Sequence, residues 1–587
     1  MSLDPLRSRP KIKPYAVFDI ETSTDLKRVY LVGYYDGRSY RFWESSPLPP
    51  DNPKSAITLF LAWLFDNPSK RSIYGHNAGN FDSVFALASI IANFPALTVE
   101  IIPSQSSILC MKVSDKQGHN WKFLDSARTL PDSLENLGQC FLDQGKVKNV
   151  DYETLHLDPI RYEYLKNDCV LLYDVLSKYF TLLYDKLGGT AGISAASTAL
   201  ATYRTSYQAE SLPEISEHAA SLARAGYYGG RCEPFRREFV ATLENPVLYD
   251  FDVNSLYPSC MVQPQPVEEL DGITGFHPEL CGFVDCTVDV SFCHMPILPC
   301  RTSKKLLFPF GRWRGVFSTA ELRLAIEHRQ ATVCSVHDAV YFKTRDIFSD
   351  YVNTLYAFRN KANPNWDLAL DRMAKIGLNS LYGKFGSTPM RETIHIRPTL
   401  DDMIDKQMQQ MPSSVSTDCY IERSERQAAY MLPQISAWIT ALGRCRLASS
   451  LLEMGENAYY CDTDAGLTTD TITGVGTGLG EWKNEYPGDP IVYAYFLAPK
   501  VYVFRHASGR VTNKAKGFSR FAEKLPPDAV AILATGKGIE VSRFAKARSV
   551  MRGDFGLILS QKRCHLDYEK RIFHEDGTSE PRRVELA

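Results

Sequence analysis

The sequence predicts a multidomain protein of α/β and α+β character, and three observations carry that expectation. Its 587 residues amount to roughly four domain-sized units of ~150 residues. The first 190 or so residues alternate strand-like and helix-like segments, the pattern of an α/β unit. A run of small residues at 188–201, GGTAGISAASTALA, then separates that unit from a longer mixture of strands and helices. With 44% hydrophobic residues, 31 Tyr and 30 Phe, the chain can build large cores, unlike a disordered sequence.

Taken in order, 15–19 (YAVFD) and 29–35 suggest strands around a turn, 57–65 a helix, and 73–74 a short strand running into the polar cluster GHNAGN. Residues 121–125 form a further strand before an amphipathic segment, and 159–184 have helical periodicity. Past the boundary, a Tyr/Gly-rich link at 226–231 leads to strands near 247–253 and 282–290 and to helices near 319–328, 348–359 and 368–382. A polar insert near 389–427, a helix over 433–454 and a hairpin at 459–467 follow. The expected divisions are therefore 1–190, a linker at 191–240, a unit at 241–504 with inserts at about 315–355 and 389–427, and a basic segment at 505–587.

Composition narrows the function. The most apolar stretch, 84–92, has nine residues, too few for the ~20 that span a bilayer. The basic N-terminus has no apolar run behind it, so no secretory signal is expected and the protein is taken as soluble and intracellular. The 14 cysteines include no CxxC pair, which suits reduced core thiols. Cys281, Cys286, Cys293, His294 and Cys300 are spaced too widely for a zinc knuckle. The net charge of −2 conceals an asymmetry: 500–587 carry 18 Lys and Arg against 10 Asp and Glu, leaving 48 against 58 elsewhere. A basic end of this kind suits a surface that follows phosphates, although a solvated basic face would look the same.

Two carboxylate sets carry the chemistry. On a strand, Asp19 and Glu21 of FDIET share one face because side chains alternate. Asp82 closes the block HNAGNFD, and Tyr164 and Asp168 of YLKND stand one helical turn apart. Each piece alone is common. Four carboxylates with a tyrosine, in this order, suit a two-metal phosphodiester site in which Tyr164 orients the attacking water. In the second set Asp252 ends a strand and is followed by backbone amides suited to a triphosphate. Lys375, Asn379 and Tyr382 fall on one helix face, a cation for phosphate and a flat ring for a base. In YCDTD a hairpin puts Asp462 and Asp464 on one side, to hold two Mg²⁺ with Asp252 for nucleotidyl transfer.

FDIET, HNAGNFD and YLKND resemble the three proofreading motifs of family B DNA polymerases; DVNSLYP, KIGLNSLYGKFG and YCDTD resemble the three polymerase motifs, and APKVY the KxY primer motif. The Tyr227-Tyr228-Gly229-Gly230 link, the small size and the inserts resemble the protein-primed branch of bacteriophages, adenoviruses and linear plasmids. The resemblance covers Asp19 to about Tyr502. It implies an RNase H-like 3′–5′ exonuclease domain followed by a right-hand polymerase of palm, fingers and thumb, the thumb assigned to 505–587 by position only. It implies two Mg²⁺ per active site, with Mn²⁺ as a substitute, held by Asp19, Glu21, Asp82 and Asp168 and by Asp252, Val253, Asp462 and Asp464. Tyr257 would stack under the incoming sugar, and Lys375 with Lys361 would hold the triphosphate beside Val253, Asn379 and Tyr382. Thr22, Asn77, Phe81 and Ser126 would hold single-stranded DNA. Tyr227, Gly229 and Gly230 would partition the primer end, which Lys500 and Tyr502 would grip.

The implied partners are template and primer DNA, dNTPs and a separate priming (terminal) protein, with no membrane and a monomeric enzyme, in the host cytoplasm or the compartment of the replicating element. The insert at 315–355, with Phe317, Tyr341, Phe342, Phe348 and Tyr351, would receive the priming protein; the insert at 389–427 would close around DNA and support processive strand displacement. Ala465 stands where the family usually has serine, Ala127 replaces the usual leucine after Ser126, and three residues separate Asn77 from Phe81 where two are usual. Other activities compatible with the sequence are a nucleic-acid-primed polymerase, an exonuclease with a decayed polymerase half, and a noncatalytic DNA-binding replication protein.

Overall fold

The computed structural model describes residues 2–585 apart from 9–10, 105–106, 152, 304, 412–417, 426, 517, 519–527, 545–556 and 565–569. Parts of the insert expected at 389–427, and much of the basic segment expected at 505–587, lie outside the described residues.

The N-terminal half is built on a ten-stranded sheet. Its centre is the parallel trio Tyr15–Thr22, Ser72–Gly75 and Asn120–Asp125, extended on one side by Val29–Tyr35 and Tyr40–Leu48 and on the other by Ser107–Ser114 and Thr98–Ser104. Buried Val, Ile and Phe make these strands; Phe18, Val32, Ile101 and Phe123 pack with the helices Ala56–Asp66 and Asp82–Asn93 into one core. The other face takes the 26-residue helix Ile160–Asp185. That helix comes close because Gly33 has no side chain: a Cβ there would stand 2.8 Å from Cys169 Sγ and 2.9 Å from Leu165 Cγ.

The run of small residues does not remain a linker throughout. Ser194 and Ser197 form a capping box, and Ala195–Ser206 is a helix packed on the helix Leu368–Phe385. Alanine favours helix once a cap satisfies the first amides.

Downstream, five antiparallel strands form a second sheet in the order Cys232–Pro234, Ala458–Asp462, Ala465–Thr468, Tyr249–Val253, Trp482–Asn484. The helix Pro433–Met454 is buried along much of its length, from Ile435 to Leu451, which binds this sheet to its neighbours. A third sheet, Gln265–Glu269, Ala331–Arg345, Cys281–Val290, Phe310–Ser318 and Arg583–Glu585, contains the insert expected at 315–355, so that structural unit begins some fifty residues earlier. Phe317, Tyr341, Phe342, Phe348 and Tyr351 are all buried. They pack the interior and are not the partner surface expected above, because their strands and helix turn these side chains into three neighbouring hydrophobic clusters.

The second insert is also not a plain loop. Met390–Ile396 pairs with Cys419–Glu425 and, through Ile394↔Ile101, with Thr98–Ser104, so these strands extend the N-terminal sheet. Arg397 donates to the carbonyls of Phe94 and Ile91 and fixes the junction. Among the described residues, no helix is long and apolar enough to cross a membrane.

Candidate functional site

The first carboxylate set gathers from three elements. Asp19 and Glu21 lie on Tyr15–Thr22, Asp82 opens the helix Asp82–Asn93, and Asp168 with Tyr164 lies on Ile160–Asp185. Asp19 pairs across the sheet with Gly33, the position that admits the long helix, so Asp168 is drawn over Asp19. Burial, then the charge of Asp168, pushes the Asp19 carboxyl up to about 7. Burial and the neighbouring carboxylates raise Glu21 and Asp82 in the same direction, and burial raises Asp168. Like charges in a poorly solvated site resist ionising together.

A cation is already present in the form of Lys146, whose Nζ stands 2.6 Å from Asp168 Oδ2 and 4.9 Å from the Tyr164 ring centre. Its backbone N–H donates to Glu135 at 2.5 Å, which ties down the loop. Lys146 is a lone lysine between motifs and belongs to no local pattern. Asn77 is exposed and sits in the left-handed region (φ 60°), and its Oδ1 accepts from Asn80. Ser126 is a correction: it is buried, its Oγ donates to the Gly75 carbonyl at 3.2 Å and lies 2.9 Å from His76 Nδ1. A hydroxyl so engaged acts within the protein and not on DNA.

The second set comes from neighbouring strands. Asp252 is registered with Ala465, and Ala465 with Asp462, so Asp252 and the two hairpin carboxylates meet at one sheet end. Thr463 takes φ 64° in the tight turn, and Val253 N donates to Asp464 O at 2.7 Å. Burial, then Asp464, pushes Asp252 up to about 7; burial also raises Asp464. Lys500 bonds Asp462 through its Nζ, and its backbone N donates to the Tyr460 hydroxyl at 2.8 Å. Tyr502 leans edge-on against Tyr460 with ring centres 5.4 Å apart.

The amides after Asp252 are also a partial correction. Val253 N–H is taken by Asp464 O and Asn254 N–H by Glu481 O, so neither remains for a triphosphate. In their place stands a group not foreseen, Arg359, which donates to Ser255 Oγ at 2.5 Å. Tyr257 and Tyr382 pair with ring centres 4.7 Å apart, and a Cβ at Gly443 would touch Tyr257 at 3.1 Å. Lys375 and Asn379 are exposed on the same helix face as Tyr382. Lys361 lies apart from them on the exposed connection before that helix, its Nζ 5.8 Å from the Trp366 ring centre.

The link 226–231 packs directly on this site. Tyr227 lies against Gly386, where a Cβ would approach its ring to 2.5 Å; Gly229 is exposed; and Gly230 leaves no room for a Cβ against Thr463. Thr463 N donates to Arg231 O at 2.7 Å, so link and hairpin are one unit.

The first donor set has the orphaned oxygens that a divalent cation would take. Asp82 Oδ1 and Asp168 Oδ1 are buried with no hydrogen-bond partner, and hard carboxylate oxygens are the ligands such ions take. With lysines on Asp168 and Asp462, no three His, Cys, Asp or Glu side chains among the described residues stand close enough to surround an ion as they are.

Comparison with known proteins finds relatives in sequence and in fold. The family described as DNA polymerase type B, organellar and viral, matches residues 148–437. The DNA-directed DNA polymerase of Enterobacteria phage PRD1 is 24% identical, covering 89% of this chain and 90% of its own. A probable DNA polymerase of Ascobolus immersus is 25% identical over 84% of this chain, of which it matches 45% of its own length, and one of Neurospora intermedia is matched over 54%. The chain thus spans about half the length of these fungal relatives. The fold is similar to that of phi29 DNA polymerase in a complex with primer-template DNA and incoming nucleotides, with a TM-score of 0.71, 18% identity, and coverage of 94% of this chain and 99% of that one. It has the architecture of an exonuclease domain joined to palm, fingers and thumb. Over residues 148–437 the chain is thus similar to the organellar and viral type B DNA polymerases.

Proposed function

We propose that the chain is a DNA-directed DNA polymerase with a 3′–5′ proofreading exonuclease, protein-primed, processive and strand-displacing. The exonuclease is assigned to 1–190, the linker to 191–240, palm and fingers to 241–504 and the thumb to 505–587. One observation carries the reading: two separate carboxylate sets, each answered by a lysine, joined through a link that packs on the second.

Asp19, Glu21, Asp82 and Asp168 would hold Mg²⁺ in one site, and Asp252, Val253, Asp464 and, beside them, Asp462 in the other; Mn²⁺ would serve in its place. Bound there, the ions supply positive charge to the attacking and leaving oxygens of an in-line displacement at phosphorus. The protein does the rest. Tyr164 orients water at a frayed 3′ end that Thr22, Asn77 and Phe81 hold, while Lys146 balances the negative site. At the other site Lys375, with Lys361 from the connection before its helix, neutralises the triphosphate. Asn379 and Tyr382 border the nucleotide, and Tyr257, backed by Gly443, leaves no room for a 2′-hydroxyl. Lys500 and Tyr502 grip the primer strand.

Protein priming is supported by the resemblance to phage relatives and by the extra sheet around Ala331–Arg345, whose outward residues include Thr332, Ser335 and His337. A Ser, Thr or Tyr hydroxyl of a terminal protein would take the place of the primer 3′-OH, within ~3–3.5 Å of the α-phosphate. Strand displacement is supported by the insert strands that bridge from the polymerase half to the exonuclease sheet.

The test is primer extension with Mg²⁺, DNA template and dNTPs, alongside incubation of a candidate terminal protein with labelled dNTP. Label fixed covalently to that protein and lost in Asp464→Asn supports the reading. Extension of a DNA primer without labelling of any protein from the same element leaves a nucleic-acid-primed polymerase, and no extension at all leaves a DNA-binding protein. Deleting 393–421 should shorten products under single-turnover trapping and stop synthesis at a downstream duplex while a short open template is still copied.

A further inference from the structure

The parallel trio of the N-terminal sheet has two ends, and only one carries the first carboxylate set. Near the other, about 13 Å from Asp19 along its strand at ~3.3 Å per residue, lies a cavity of about 250 Å³. Tyr15, Ser72 and Lys122 reach it from near the starts of the three strands, with the segment 11–13 in front and the loop 189–193 at the side.

One wall is apolar and fixed. Tyr15, Tyr74 and Phe180 pack as an aromatic corner, with ring centres 6.1 Å apart for Tyr15 and Tyr74, 5.1 Å for Tyr15 and Phe180, and 6.0 Å for Tyr74 and Phe180. The Tyr15 hydroxyl donates to Tyr173 O at 3.2 Å, so the corner is set before any ligand arrives. Across from it, Gly189 N donates to Leu183 O at 2.9 Å and Gly192 N to Thr198 Oγ1 at 3.0 Å, which holds both ends of the loop. At the mouth Ile12 is 48% exposed.

The rim is basic. Among the described residues that line the cavity, Lys11, Lys13 and Lys122 are cations and none is a carboxylate. Strand register sharpens the point: Lys122 stands directly opposite Ser72 on one side and Lys112 on the other, and it is Lys112 that has an acidic residue, Glu100, across its further edge. Like charges directly opposite one another cost stability. An anion beside Lys122 removes that cost. A volume near the lower end of small-molecule sites suits a single nucleotide better than a strand.

We propose that this cavity binds a nucleoside monophosphate, its phosphate among Lys11, Lys13 and Lys122 and its base against Tyr74 and Ile12. The proposal rests on the reading of the first carboxylate set as an exonuclease, whose product is a nucleoside monophosphate. It adds a place for that product at the opposite end of the same strands, apart from both carboxylate sets.

The experiment is equilibrium dialysis of labelled dAMP in EDTA against the full chain carrying Asp19→Ala, Glu21→Ala and Asp252→Asn, so that neither carboxylate set contributes. One saturable site with a Kd below about 1 mM is expected. Adding Lys122→Gln should weaken binding about tenfold, the effect of one lost charge-assisted hydrogen bond. Lys13→Glu with Lys122→Glu should abolish it; both side chains are exposed, so these variants should keep the parent's melting temperature. Deoxyadenosine, which lacks the phosphate, should not compete, and inorganic phosphate should compete at least about tenfold more weakly than dAMP because it leaves the apolar wall uncovered. No saturable binding, or binding indifferent to the lysine changes in a folded variant, would overturn the proposal. So would phosphate competing as well as dAMP, which leaves an anion site only, or a single-stranded oligonucleotide displacing dAMP at far lower concentration, which makes the cavity part of a DNA path. If the wild-type chain frees no nucleoside monophosphate from single-stranded DNA while dAMP still binds, the exonuclease assignment falls and the site stands.

Discussion

The two carboxylate sets meet the same electrostatic problem by different construction. The first collects Asp19, Glu21, Asp82 and Asp168 from a strand, a helix start and a distant helix, so its geometry depends on packing across the sheet. The second places Asp252, Asp462 and Asp464 on adjacent strands, where register alone aligns them. Asp82 and Asp168 are each 3% exposed, whereas Asp252, Asp462 and Asp464 are half-buried. A site assembled by tertiary packing should be the easier of the two to disturb from a distance.

The largest expected effect separates the sites outright. Asp252→Asn or Asp462→Asn should cut extension about a thousandfold, the several kcal/mol that an ion's charge contributes, and leave single-strand degradation within about twofold. Asp19→Ala with Glu21→Ala should do the reverse. Rates of both activities for each variant decide it; equal loss of both in either variant would merge the two sites.

The next change attacks the packing alone. Gly33→Ala adds a methyl that would stand 2.8 Å from Cys169 Sγ, pushing away the helix that carries Asp168, at a cost of about 1–3 kcal/mol. Exonuclease rate should fall about tenfold with extension nearly unchanged; a variant that loses neither activity would show that the helix yields without moving Asp168.

This dependence on distance also marks what the sequence reveals. Period-two alternation and helical spacing place Asp19, Glu21, Tyr164, Asp168 and the YCDTD hairpin on the correct elements, because those signals are local. Lys146 has no local pattern, and its role follows only from the fold around Asp168. Ser126 was legible as a motif position, but its burial depends on His76, fifty residues away. The aromatics between 315 and 355 were visible while the face they take was not, since Cys281–Val290 and its neighbours pack around Phe317, Tyr341 and Phe342 while Tyr203 and Phe385 pack on Phe348 and, for Tyr203, on Tyr351. The pairing of Ile394 with Ile101 joins segments nearly three hundred residues apart, beyond any periodicity.

A smaller effect should follow from protons. Asp19 and Asp252, both pushed up to about 7, bind protons in the folded state between about pH 4 and 7 that the unfolded chain has released. Stability of the metal-free protein therefore falls as pH rises through that window and stays at its lower level above it. In EDTA the melting temperature should drop from pH 6 to pH 8, and Mg²⁺ should raise it more at pH 8 than at pH 6. Asp19→Asn should raise the EDTA value at pH 8 by at least about 1 °C. A melting temperature in EDTA that climbs over the same interval would contradict the sign.

The smallest change is Lys146→Ala, which removes the cation from Asp168. It should slow the exonuclease several-fold and leave extension alone, the counterpart of Lys500→Ala, which should weaken extension while sparing the exonuclease. A Lys146→Ala enzyme with full exonuclease rate would make the lysine a structural neighbour only.

The strand Met390–Ile396 bears on how the protein is made. Until the ribosome has passed that segment, Thr98–Ser104 is the outer strand of the nascent sheet, with its Val99 and Ile101 side chains and its backbone groups uncovered. Such an edge invites pairing with another chain. Synthesis of about three hundred further residues intervenes before the covering strand emerges, so the N-terminal unit is expected to need a chaperone during translation. Expressed by itself, a fragment ending near residue 190 should associate through that edge, and a charged residue at Ile101 should keep it apart.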